Sequence, residues 1–104
     1  MNQAAQAPPL DLISERALSK LKWRCRRGLL ENDIFIERFF RRHGNSLTNG
    51  QAAALSELMD LSDNDLLDLC LSRRSLSQVQ IALDREDVLE VLNLLKETPL
   101  KGQI

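Results

Sequence analysis

Few side chains in this chain could do chemistry by themselves. A single histidine, His43, and two cysteines, Cys25 and Cys70, stand among 104 residues. One imidazole is too few for a metal cluster and leaves no basis for a Ser-His-Asp or Cys-His catalytic set. His43 falls on an apolar helical face and reads as a core or cap residue rather than a proton shuttle. The cysteines are too far apart for CxxC redox or zinc spacing. Two reduced thiols in small core positions, in a reducing compartment, are the simplest reading. Asp60, Asp63, Asp65 and Asp68 gather carboxylates, but without the glycine and terminal glutamate of a calcium loop they read as helix capping.

What remains is the run Trp23-Arg24-Cys25-Arg26-Arg27-Gly28-Leu29-Leu30-Glu31-Asn32-Asp33. Arg27 and Glu31 have i,i+4 spacing, so a continuous helix would set them side by side. They read either as a surface ion pair worth about 0.3 kcal/mol or as a bipolar contact patch beside the small surface of Gly28. Gly28 itself could supply a left-handed cap or let another backbone approach closely. Trp23 lies about 170° from the centre of its helix's apolar stripe, taking 100° per residue. It shares a face with Arg16, Lys20 and Arg27. A tryptophan so placed is either a partner's anchor, since Trp and Arg are enriched at binding hot spots, or is packed beneath a neighbouring element.

The elements that must position these residues are helices. Apolar positions recur at helical spacing and nowhere alternate as a strand would. The first helix runs from Ser14 to about Arg27 on a stripe of Leu18, Leu21 and Cys25, with Gly28 ending or loosening it. The second covers about Glu31 to His43, with Phe35, Ile36, Phe39, Phe40 and His43 on one face and Gly44-Asn45 closing it. The third begins after Leu47, where Thr48 and Gln51 form a capping box, and buries Leu55, Leu58 and Met59. The fourth starts at Ser62 with Asp65 three residues on, and buries Leu66, Leu67, Cys70 and Leu71. The fifth starts around Asp84 with Asp87 in its first turn, and carries Val88, Leu89, Val91, Leu92 and Leu95. Ser72–Leu83 either extends the fifth helix backwards or forms an ordered loop. The expectation is an all-α, single five-helix bundle over residues 14–97, between flexible tails at 1–13 and 98–104.

Charge is divided along the chain. Lys and Arg number 14 and Asp and Glu 15, for a net charge of −1. Residues 1–52 carry 9 basic and 5 acidic side chains, and residues 53–104 carry 5 and 10. The acidic half opposes phosphate binding, so nucleic acid is not the expected partner. No apolar run is long enough for a transmembrane helix. The first 15 residues hold no Lys or Arg and have no apolar segment, so neither a secretory signal nor a transit peptide is expected. A domain of this size buries roughly two-thirds of its unfolded surface, which leaves little room for an enclosed active site. The residues therefore describe a small intracellular helical binding module without catalysis of its own.

Trp23-Arg24-Cys25-Arg26-Arg27-Gly28-x-x-Glu31-x-Asp33, then Phe39-Phe40, Leu47-Thr48 and Asp63-x-Asp65-Leu66, resembles the SdhE family. These are assembly factors of succinate dehydrogenase that promote covalent flavin attachment. The resemblance spans about residues 14–95, and its signature is the Arg-Gly-x-x-Glu motif, met by Arg27, Gly28 and Glu31. It implies a five-helix bundle that binds the flavoprotein subunit of succinate dehydrogenase, with fumarate reductase as a related client. It implies no cofactor of the chain's own: the FAD belongs to the partner, and weak direct FAD binding stays open. Arg27, Gly28 and Glu31 inherit the partner-contacting role, Arg26 and Asp33 match flanking positions, and Trp23 opens the motif. The sequence departs from relatives at Leu69, where Trp is common, and at Arg38, where Pro often precedes the Phe pair. The lack of a transit-peptide pattern points to the bacterial, cytoplasmic branch, and a monomer is expected. The competing expectation is a helical regulator or antitoxin-like protein-binding module.

Overall fold

A computed structural model describes residues 11–26 and 28–97. Helix starts follow the hydroxyl side chains. Ser14 Oγ accepts from the Ala17 amide at 3.1 Å and opens α1 (Glu15–Arg24). Thr48 Oγ1 and the Gln51 side chain cap each other's backbone amides at 3.0 Å, opening α3 (Asn49–Leu58) with the expected capping box. Ser62 accepts from the Asp65 amide at 3.2 Å and opens α4 (Asp63–Cys70). The remaining helices are α2 (Leu30–His43), α5 (Leu76–Val79) and α6 (Glu86–Lys96). Neither α2 nor α6 has a side-chain cap, but each carries two carboxylates in its first turn, Glu31 with Asp33 and Glu86 with Asp87. These face the positive end of the helix dipole.

The fold is all-α, with 3₁₀ turns at Gly44–Ser46 and Ile81–Leu83. Helix α6 is the hub. It packs on α3, α2 and α4, and places Val88, Val91, Leu92 and Leu95 among the buried Leu55, Leu58, Phe39, Leu66 and Leu69. Helix α2 packs on α4 and α6, whereas α1 rests on α3. Leu21 and Cys25 are the buried side chains that α1 contributes.

Six α-helices are described where five were expected. The added one is α5, a single turn opened by a reciprocal Ser75–Gln78 capping box. It lies within residues 72–83, where the sequence allows either a loop or a backward extension of the last helix. Helix α4 stops because Ser72 takes a left-handed conformation, φ 61°. The Arg73 amide then donates to the Asp68 carbonyl at 2.8 Å, and the Ser72 amide to that of Leu69 at 3.1 Å. That is a Schellman stop with serine at the usual glycine position. The buried stripe of α4 is Leu66, Leu69 and Cys70, so Leu71 is exposed and Leu69, outside the expected stripe, is fully buried. Helix α6 begins at Glu86 rather than Asp84, and its Leu89 is exposed.

Residues 11–13, expected as the end of a tail, belong to the fold. Leu12 and Thr48 form an isolated antiparallel bridge. The Ile13 amide donates to Leu47 O at 2.9 Å and the Asn49 amide to Asp11 O at 2.8 Å. The rest of the expected tails, residues 1–10 and 98–104, lie outside the described residues.

Candidate partner-docking surface

The motif lies where α1 hands over to α2, between two buried pins. On one side Cys25 is fully buried and ends α1, its amide donating to Leu21 O at 3.0 Å. Arg24 turns towards α3, donating to Ser56 O at 3.2 Å and pairing with Asp60. On the other side Asn32 is fully buried, and its Nδ2 donates to Asp63 O, at the start of α4, at 3.0 Å. The loop carrying Gly28 joins these pins. The first helix therefore ends at Arg24, not near Arg27, and the next begins at Leu30. Arg27 itself lies outside the described residues.

Gly28 is exposed, and its φ is not in the left-handed region, so it is not a left-handed cap. A Cβ built on it meets nothing within 4 Å. Among the described residues, neither conformation nor space requires glycine there.

Because α1 rests on α3 and α2 on α4 and α6, an open groove of about 780 Å³ lies between α1 and α2. Trp23, Arg26 and Asp33 line it together with Lys22, Glu37 and Phe40. Trp23 is 73% exposed, which resolves its two sequence readings in favour of an uncovered surface residue. Arg26 stacks over the indole at 5.2 Å, and Lys22 Nζ sits 5.8 Å from the Phe40 ring across the groove. Such contacts hold flat cationic and aromatic surfaces in place at modest energy.

The fold does not gather all the motif residues on one face. Glu31 and Asp33 are two positions apart and so point about 160° apart around α2, with the buried Asn32 between them. Asp33 belongs to the groove, Glu31 to the opposite flank, and Gly28 to the loop above both. Between these flanks stand two exposed apolar side chains that the sequence reading passed over, Leu30 and Ile34. Their i,i+4 spacing on the polar side of an amphipathic helix was the signal that could have found them.

The other reactive types are held in structural roles. His43 Nε2 donates to Glu97 Oε1 at 2.8 Å and its ring tilts against Phe39, closing the end of α2 on the end of α6. The His43 hydrogen bond, with Arg42 nearby, holds the Glu97 carboxyl below the usual range. Cys25 and Cys70 are buried, and burial pushes the Cys70 thiol up to about 12, far from a reactive thiolate. Asp65 and Asp68 are paired with Arg74 and Asp60 with Arg24, so the carboxylate cluster is bound up in ion pairs and caps. Among the described residues no group of three or more His, Cys, Asp or Glu could hold a metal ion.

The profile of the family described as flavinator of succinate dehydrogenase matches residues 19–98, from mid-α1 to just past α6. The chain belongs to this family. It is 49% identical to the FAD assembly factor SdhE of Ralstonia nicotianae over 78 residues, 75% of this chain and 79% of that protein. With the protein of the same name from Coxiella burnetii it shares 42% identity over 55 residues, 53% of this chain and 67% of that one. With that of Legionella pneumophila (strain Lens) it shares 35% over 54 residues, 52% and 68% respectively. No solved structure matches the chain. No helix of the described residues is long and apolar enough to cross a membrane.

Proposed function

We propose that this flavinator-family chain binds the flavoprotein subunit of succinate dehydrogenase, and the related subunit of fumarate reductase, and promotes covalent attachment of their FAD. It does so as a cytoplasmic monomer. The observation that carries the docking assignment is Gly28: among the described residues nothing requires a glycine there, so its small size serves something that arrives from outside. Arg27, Gly28 and Glu31 meet the partner, flanked by Arg26, Asp33 and Trp23.

The bond between FAD and a histidine of the partner forms on the partner's own groups. The groove between α1 and α2 is open rather than enclosed, and the one imidazole is engaged with Glu97. Its contribution is binding energy placed on one arrangement of the partner, which raises the population competent to react. An exposed indole stacked by arginine, in a groove that Asp33 and Glu37 also line, suits docking.

Replacing Gly28 by Arg tests this reading. The variant should fold with an unchanged melting temperature, since its side chain enters open space, yet leave the flavoprotein subunit without covalent flavin in cells that depend on it. Replacement by Ala should act in the same direction more mildly. Normal covalent flavin with Gly28→Arg would refute the assigned contact surface.

A further inference from the structure

Leu30 is 69% exposed and Ile34 is 42% exposed, one turn apart on α2 and in the middle of the motif. Among the described residues nothing covers them. The helix already buries Asn32, Ile36 and Phe39 on its other side. Around α2, at about 100° per residue, Asp33, Leu30, Ile34 and Glu31 follow one another over roughly 160°, while Asn32, Ile36 and Phe39 take the far side. The inward arc between Asp33 and Glu31 is the core. A single rigid partner that touches both carboxylates must therefore pass over the outward arc, and that arc is the Leu30–Ile34 ridge.

We infer that Leu30 and Ile34 form the apolar centre of the docking surface, seated in an apolar hollow of the flavoprotein subunit whose edges carry cationic groups for Glu31 and Asp33. The inference rests on the docking reading above and deepens it. Two observations choose this occupant. The ridge is continuous with the motif on both flanks, and its flanking charges near the helix start are negative although α1 and α2 as a whole are basic. An apolar centre ringed by polar groups is also the arrangement in which a few side chains carry most of the binding energy.

The test compares the full-length chain with three variants, Leu30→Ala/Ile34→Ala, Leu30→Lys and Gly28→Arg. Each is checked for helical content and melting temperature, then titrated against purified, unflavinylated flavoprotein subunit of succinate dehydrogenase. The double alanine variant should melt close to the parent, because exposed helix positions accept alanine well, and should bind at least tenfold more weakly. Leu30→Lys, at the more exposed position, should weaken binding without any loss of fold. Parent-like affinity in both ridge variants, with Gly28→Arg inactive, overturns the ridge and leaves the docking reading intact. Failure of the parent itself to bind the subunit overturns both. A ridge variant that alters only self-association in sedimentation, with unchanged subunit binding, assigns the ridge to a second copy of this chain and overturns the inference as well.

Discussion

Asn32 is the one buried polar side chain among the described residues, and only half of its amide is used. Its Nδ2 donates to Asp63 O, while its Oδ1 has no hydrogen-bond partner in the protein. A buried acceptor left unpaired offsets much of what the donor contributes. Asn32→Leu removes both groups at similar volume, and unfolding in urea should show a stability within about 1 kcal/mol of the parent. Asn32→Asp instead buries a carboxylate against the Asp63 carbonyl and carboxyl, and should cost about 3 kcal/mol at neutral pH. Equal stability of the two variants would show that the pin is held by shape alone. Trp23 marks what a sequence can and cannot say at this scale. Its angle from the stripe of its own helix was readable, but whether a neighbour covers it depends on α1 packing against α3 rather than α2. That is a tertiary outcome with no local signal.

At the scale of elements, beginnings were legible and endings were not. Thr48 with Gln51 and Ser62 with Asp65 announced α3 and α4, because a capping side chain lies within three residues of the amide it satisfies. Ser75 with Gln78 follows the same grammar. A single turn, however, has no room for an apolar stripe, so the pattern there carries no helical period. Endings depend on backbone conformation that any residue can be forced into by packing, and Ser72 shows the case. A left-handed φ costs a non-glycine residue about 1–2 kcal/mol, part of which glycine gives back through its freer unfolded state. Ser72→Gly should therefore raise stability by about 0.5–1 kcal/mol, seen as a higher melting temperature. A drop would mean that the serine side chain makes a contact worth more than the strain. The same logic explains α1, which stops where Cys25 enters the core, before the glycine that seemed to mark its end.

For the molecule as a whole, ion pairs tie together elements that are distant in the chain, both across the basic and acidic halves, as Arg24–Asp60 and His43–Glu97 do, and within the acidic half. Arg85, ahead of α6, holds Glu57 of α3 through two hydrogen bonds, at 2.7 and 3.0 Å, and also holds Asp87. The hydrogen bonds from Arg85 keep the Glu57 and Asp87 carboxyls below their ordinary values of 4.5 and 3.8. Glu97 is lowered likewise by His43. Because these folded-state values are depressed, the stability they contribute is present in full above the ordinary carboxylate range. It is lost as pH falls through the depressed values. The urea midpoint should hold steady from neutral pH to about pH 5 and then decline with acid, and Glu57→Gln should make that decline shallower. An acid limb unchanged by Glu57→Gln would show that the bridge is too exposed to matter.

The open space around Gly28 also governs how damage at this position would be noticed. Cellular quality control removes chains that unfold, and laboratory screens for melting point, protease resistance or abundance score the same property. A substitution that meets no neighbouring atom escapes all of them. Variants of this glycine should accumulate at normal levels as soluble, intact protein, and their defect should surface only in another polypeptide, as a flavin that washes away.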